Sequence, residues 1–361
     1  MDFSQRMGER LQQLSEWARR ALKAHCGADC ADRLQVVPLP GDAGFRRYYR
    51  CNTDPTLIAV DAPPSTENNA RFVALADYLR RYGIHTPQVV AADIEQGFML
   101  LEDLGDDQLF TLLDEDSAQS LYAEALSELL CLQQVPRCET LLQPYDREKL
   151  ATEIGLFRPW FCESMLGVQL DDAAVAILDA VTEKLLASAL EQPTVMVHRD
   201  YHSRNIMIRE AHRPGIVDFQ DAVWGPVTYD LAGLLRDCYV RWPREQVEHW
   251  ALTYADMAIS TDIMPEVTRE QFLRWFDWMG MQRHLKVLGI FSRLWLRDGK
   301  PGYLRDLPLV MRYTLEVAEA YDEFADFARW FRDTLVPAAE SQSWYRDWRT
   351  AGVAGRAGDA A

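Results

Sequence analysis

The sequence predicts an α+β chain of two lobes: a small antiparallel β lobe, then a larger, mostly helical one. Three observations carry this. Strand-like runs separated by turn residues crowd into residues 30–104. Beyond Gly105 the apolar residues recur at helical spacing instead. The length, 361 residues, exceeds what one small core organises.

The elements follow in order. Over residues 4–25, Leu11, Leu14, Ala18 and Leu22 mark one face of an amphipathic helix. RLQVVPL, FRRYYRC and TLIAV then read as three short strands. In PPSTENNARFVALADYLRRYG, Ser65 or Thr66 is placed to cap a helix with Phe72, Leu75, Ala76 and Leu79 on its apolar face and Gly83 as its stop. PQVVAADIEQGFMLLEDLG supplies two more strands around a turn near Glu95–Gly97, and ends in the connector LLEDLG. Helical stripes return over residues 117–134 (Leu121, Ala125, Leu126, Leu129, Leu130) and 171–190 (Ala174, Ile177, Leu178, Val181, Leu185), and everything after Tyr229 reads as helix. The expected lobes are therefore 1–104 and 105–345, with 346–361 a small-residue tail expected to be disordered.

The formal net charge of −17 argues against nucleic acid and anionic membrane surfaces as partners. Nothing in the sequence implies a protein partner, and a small molecule is the expected one. Seven cysteines, with only Cys26 and Cys30 near one another, read as reduced thiols rather than a disulfide framework. The N-terminal stretch is charged throughout, unlike a signal peptide, and no uncharged apolar run approaches 18 residues. A cytoplasmic location is the expectation.

The chemistry concentrates in HRDYHSRN, residues 198–205, set between the apolar runs TVMV and IMI. Asp200 and Asn205 lie five apart, and GIVDF brings a second carboxylate, Asp218. Carboxylate and carboxamide oxygens suit Mg²⁺, a hard cation that also takes substrate phosphates. Phosphoryl transfer needs that metal and a carboxylate aimed at the attacking hydroxyl. A zinc site on His198 and His202 is the competing reading, but the flanks predict a loop and no H-E-x-x-H or cysteine partner accompanies them. Upstream, LPGDAGFRRYYRC puts Gly41 and Gly44 in a turn, with Asp42, Ala43 and Phe45, where bare backbone N–H groups can approach phosphate. An ordinary hairpin turn is the alternative.

These residues are similar to a known family. His198-Arg199-Asp200 with Asn205, then Asp218-Phe219, follow the catalytic-loop and metal-loop pattern of the kinase fold. His202, two after Asp200, and the absence of an A-P-E element resemble the aminoglycoside phosphotransferase and choline kinase branch over roughly residues 30–330. The resemblance implies a bilobal protein-kinase-like fold that uses ATP and Mg²⁺. Asp200 would then be catalytic, with Asn205 and Asp218 on the metal. Gly41, Asp42, Ala43, Gly44, Phe45 and Arg46 would lie on the nucleotide phosphates. Backbone near Glu102 and Leu104 would read the adenine edge, and His202 would sit near the γ-phosphate. WGPVTYDLAGLLRD resembles the family segment whose aspartate, here Asp230, braces the catalytic loop.

More narrowly, GDAGFRRYYR, IAVDAPP, GFMLLEDLG, HRDYHSRN and VDFQDAVWGPVTYDLA resemble the bacterial anomeric kinases of N-acetylmuramate and N-acetylglucosamine. That resemblance implies phosphorylation of the C1 hydroxyl to a sugar 1-phosphate in peptidoglycan recycling. The alternatives are another small-molecule hydroxyl kinase, acting on an aminoglycoside, choline or homoserine, or a non-catalytic pseudokinase.

One departure stands out. The kinase fold carries a lysine on its third strand, yet TLIAVDAPP has none, and no basic residue lies between Arg50 and Arg71. Strand alternation sets Arg46, Tyr48 and Arg50 on one face, with Arg47 on the other. Arg46 is the expected substitute, a solvated arginine face the alternative. Glu67, a possible partner for the missing lysine, is left without a role. For the acceptor, Trp160, Trp224, Trp275 and Trp278 offer aromatic faces, although aromatics at helical spacing usually belong to a core. Arg204 lies beside the metal residue Asn205. Arg283, His284, Lys286 and Arg293 are cations for an acceptor carboxylate. Trp160, Trp224, Arg204 and Arg283 are carried forward.

Overall fold

The β-branched and aromatic runs of the first lobe form one five-stranded antiparallel sheet: β1 (Val36–Pro38), β2 (Arg47–Cys51), β3 (Leu57–Asp61), β4 (Val89–Asp93) and β5 (Phe98–Glu102), in the order β1-β2-β3-β5-β4. The structure is a computed structural model and describes residues 3–25, 31–40, 44–209 and 213–352. Gly41, Asp42, Ala43, Cys26 and Cys30 lie outside the described residues. The turn between β4 and β5 needs Gly97, whose φ is +76°; a Cβ there would come within 2.0 Å of the Ala62 carbonyl oxygen.

Helix α1 (Phe3–His25) buries Leu14, Trp17, Ala18 and Leu22 against Tyr49, Leu57, Ala59, Phe98 and Leu100 of the sheet. Arg10 fixes its seat by pairing with Asp61 and donating to the Gln96 carbonyl at 3.0 Å. Helix α2 (Asn69–Arg81) starts later than Ser65 or Thr66. Thr66 instead turns back, its N–H donating to the Pro63 carbonyl at 3.0 Å, and Asn68 caps the helix by accepting from the Arg71 N–H at 3.1 Å. Gly83, at φ +80°, ends the following turn.

The chain divides into two compact units. The first comprises Met1–Asp107 and also Met207–Gln220, the segment that holds Asp218. The second comprises Gln108–Ile206 and Asp221–Ala361. In the second, α3 (Ala118–Gln133) and α4 (Asp172–Leu190) occupy the expected stretches. The strands β6 (Thr194–Val197) and β7 (Val223–Pro226) pair antiparallel, and HRDYHSRN follows the end of β6. Helix α5 (Thr228–Leu235) and the 28-residue α6 (Arg269–Leu296) pack together. Helix α6 is buried on nearly every side, so it carries polar residues inward as well as apolar ones. Residues 346–352, expected to begin a disordered tail, instead pack: Arg312 donates to the Ala351 carbonyl at 2.8 Å, and Gly352 approaches Leu309 and Arg241. No helix among the described residues is long and apolar enough to cross a membrane.

Candidate active site

In the second unit, HRDYHSRN leaves the end of β6 as a tight loop. Arg199 sits at φ +80°, in the left-handed region that costs a non-glycine residue about 1–3 kcal/mol unless its surroundings over-determine it. Here they do. Asp230, at the start of α5, accepts from the His198 N–H at 2.6 Å and the Arg199 N–H at 3.0 Å, the brace position expected for it. Burial pushes the Asp230 carboxyl up to about 7, while the His198 N–H, Arg283 and the Arg199 N–H pull it back. Arg283 of α6 donates to the Arg199 carbonyl at 2.8 Å and lies over the Tyr229 ring at 4.5 Å. Gly233 makes room for it, since a Cβ there would stand 2.8 Å from its guanidinium. Asp237 accepts from the Ser203 N–H at 2.9 Å and from the Ser203 hydroxyl. The buried Tyr201 hydroxyl donates to the Ala125 carbonyl at 2.7 Å.

Beneath the loop lies a buried ionic cluster. Glu153 accepts from Arg199 and from the Tyr145 hydroxyl, and pairs with Lys286 at 3.0 Å. Lys286 also donates to the Tyr229 hydroxyl at 3.0 Å. Burial raises the Asp200 carboxyl, but Lys286, His202, Arg283 and Arg199 together outweigh it and hold the group below the usual carboxylate range. Asp200 is therefore an anion at neutral pH: a hydrogen-bond acceptor ready for a hydroxyl, and a weak base.

Asn205 donates its Nδ2 to the Asp200 carbonyl at 2.9 Å, which leaves Oδ1, the atom a hard cation takes, with no donor among the described residues. Asp218, in the first unit, has φ +65° and accepts from Gln220 Nε2 at 2.6 Å. A carboxamide oxygen and a carboxylate oxygen are each a ligand type that Mg²⁺ takes alongside waters and phosphate oxygens. No cluster of three or more His, Cys, Asp or Glu side chains that could hold a metal occurs among the described residues. His202 is half-buried, its ring edge-on to Tyr239 at 5.5 Å and its Nε2 3.4 Å from Asn205 Nδ2.

The first unit holds Arg46, the cation expected in place of the missing lysine, in a defined position. Arg46, 9% exposed, pairs through Nη2 with Glu67 at 2.9 Å, and its guanidinium stands 5.0 Å from the Phe72 ring. Phe72 in turn stacks on Phe219, the neighbour of Asp218, at 5.0 Å. Arg46 is thus no solvated arginine, and its buried Nε has no hydrogen-bond partner. Phe45, beside it, is 65% exposed. At the connector, the Glu102 N–H donates to the Gln88 carbonyl at 2.8 Å, and its carboxylate pairs with Arg80 and Arg209 at 3.1 Å. Its amide is therefore committed, whereas the Leu104 backbone makes no hydrogen bond among the described residues and stays available to an adenine edge.

The acceptor candidates divide. Arg283 is not an open cation but a buried brace of the loop. Trp275 and Trp278 are core residues of α6. The Trp224 indole donates to Thr194 Oγ1 at 3.0 Å, toward the start of β6, whereas HRDYHSRN leaves its end. Trp160 is half-buried in a π-helical turn, Phe157–Met165. Arg204 remains accessible beside Asn205.

Residues 35–271 match the phosphotransferase enzyme family. The chain belongs to that family. As a phosphotransferase it has near relatives: an N-acetylmuramate/N-acetylglucosamine kinase of Pseudomonas putida is 40% identical over 321 residues, covering 88% of this chain and 94% of the relative. One of Pseudomonas aeruginosa is 42% identical over 315 residues, covering 86% and 92%. Among solved structures, an ethanolamine kinase of Plasmodium vivax superposes with a TM-score of 0.62 at 12% identity, covering 86% of this chain and 90% of its own, which is a likeness of fold.

Sequence reasoning missed Glu153, Asp237 and the Arg46–Glu67 pairing, and cast Lys286 only as an acceptor cation. Asp237 lies two residues past the end of α5, where helical spacing from Asp230 no longer applies, so it carried little signal. Glu153 carried none, because a lone acid in a short helix reads as a solvated one.

Proposed function

We propose that this phosphotransferase uses ATP and Mg²⁺ to phosphorylate the anomeric hydroxyl of N-acetylmuramate and N-acetylglucosamine, and that the sugar 1-phosphates serve peptidoglycan recycling. The observation that carries the reading is an ionised Asp200 on a fully braced loop, in a chain about 40% identical to kinases named for those two sugars. A cytoplasmic site of action fits it.

In the proposed reaction, Asp200 accepts a hydrogen bond from the C1 hydroxyl and aligns its oxygen on the γ-phosphorus. The new O–P bond forms as the bond from the γ-phosphorus to the β,γ-bridging oxygen breaks. ADP leaves, and the hydroxyl proton passes late to Asp200, which suits a weak base. Asn205 and Asp218 are the residues that would hold Mg²⁺, which would neutralise phosphate charge. Arg46, oriented by Glu67, supplies the cation that the third strand lacks, and the Gly44 turn offers its backbone to the phosphates. The Leu104 backbone reads the adenine edge.

The test is phosphorylation of N-acetylmuramate with ATP and Mg²⁺, followed by phosphorus and proton NMR. A 1-phosphate is expected, and a 6-phosphate or no product overturns the reading.

A further inference from the structure

One cation of the second unit is poised without a partner. The Arg204 guanidinium carbon lies 3.6 Å from the centre of the Tyr239 ring and 4.8 Å from that of Phe110. Those two rings meet edge to face at 6.2 Å, so the guanidinium is clamped in an aromatic corner. Yet Arg204 makes no hydrogen bond or ion pair with any described residue, in a chain where acids outnumber bases by 55 to 38. Its donors carry no hydrogen bond to a described residue, and two rings fix its position.

The corner is tied to the chemistry. Asp237, which holds Ser203, also accepts from the Tyr239 N–H at 3.0 Å, and the Phe110 N–H donates to the Ser203 carbonyl at 2.9 Å. Both rings are thereby anchored to the loop that presents Asp200. Asp306 lies alongside. Its side chain is 14% exposed, Oδ2 has no hydrogen-bond partner, and its nearest cation is Arg305 at 3.8 Å. Burial pushes its carboxyl up to about 6, against the pull of Arg204 and Arg305.

We propose that Arg204 is the specificity-determining residue for the acid-bearing acceptor, taking the lactyl carboxylate of N-acetylmuramate, while Asp306 accepts an O–H or N–H common to both sugars. The inference rests on the reading of the protein as a kinase of these two sugars. A planar guanidinium already held against two rings can meet a carboxylate with two parallel N–H···O bonds at reduced cost in ordering. N-acetylglucosamine has no carboxylate and gains nothing from it.

The experiment compares kcat/KM for the two sugars, and for the methyl ester of N-acetylmuramate, in the wild type, Arg204→Gln and Asp306→Asn, with Tm as a check on folding. Arg204→Gln is expected to lower kcat/KM for N-acetylmuramate about 30-fold, with N-acetylglucosamine and the ester changed less than about 3-fold. Asp306→Asn is expected to lower all three alike. Equal loss on both sugars in Arg204→Gln, a change confined to the KM for ATP, or no change overturns the inference while the kinase reading stands. Wild-type turnover of neither sugar overturns the kinase reading, and the inference falls with it.

Discussion

The two units hold their charged groups in opposite ways. In the second, the loop carrying Asp200 is gripped from several sides: Asp230 and Asp237 take its N–H groups, Arg283 takes a carbonyl, and Glu153 anchors Arg199 and Lys286. In the first, Arg46 depends on one ion pair, to Glu67, and one ring, Phe72. The difference tracks the tolerance of the chemistry. A carboxylate that must align one hydroxyl has little positional freedom, because small misplacements are costly in rate. A cation that neutralises phosphate acts through a field that varies slowly with position.

Removing the group that all this bracing serves gives the largest effect. Asp200→Asn is expected to lower kcat about 10²–10⁴-fold with the KM for ATP nearly unchanged, as steady-state kinetics would show. Near-native turnover would break the comparison at its centre. Glu153→Gln attacks the bracing itself. It strands Arg199 and Lys286 as buried cations and is expected to cost about 3 kcal/mol of stability in chemical denaturation, since removing one partner of a buried pair leaves uncompensated charge. A loss below about 1 kcal/mol would mean the cluster is hydrated and dispensable.

The first unit predicts smaller changes. Arg46→Met and Glu67→Gln should each raise the KM for ATP about tenfold, and the double variant should be little worse than either, the signature of a coupled pair. Additive losses would show that Glu67 does not act through Arg46.

The last effect appears only in acid. His284 of α6 is buried, stacks on Tyr313 at 4.9 Å, and donates from Nε2 to the Arg236 carbonyl at 3.0 Å. Burial lowers its pKa from 6.5 to about 3. The unfolded chain therefore binds the proton first as pH falls. The stability His284 contributes is complete above about pH 6.5 and drains away toward pH 3, at up to about 1.4 kcal/mol per pH unit. Melting curves of His284→Gln should fall less steeply between pH 6.5 and 4.5 than those of the wild type.

Much of this site was legible in the chain. HRDYHSRN, Asp218 and Asp230 announce themselves because phosphoryl transfer demands those residue types at set intervals. The sheet and its turns were legible because alternation and Gly97 leave few other solutions. What escaped notice depends on tertiary placement. Glu153 and Asp237 look like solvent-facing acids until the packing shows what lies above them. Arg283 reads as a substrate cation because a helix buried on nearly all sides must still place its polar residues somewhere. Arg46 and Glu67 were each noticed, one as a spare cation and the other as an acid without a role; only the fold brings them to 2.9 Å.

Phe72 touches both Arg46 and Phe219, and Phe219 adjoins Asp218. A single ring therefore adjoins both the cation assigned to phosphate and the segment assigned to the metal. Any coupling carried through that ring would be reciprocal: if nucleotide tightened metal binding by some factor, metal would tighten nucleotide by the same one. If Arg46 takes phosphate and Asp218 takes metal as proposed, the affinity of this chain for ATP would be a function of the magnesium concentration around it.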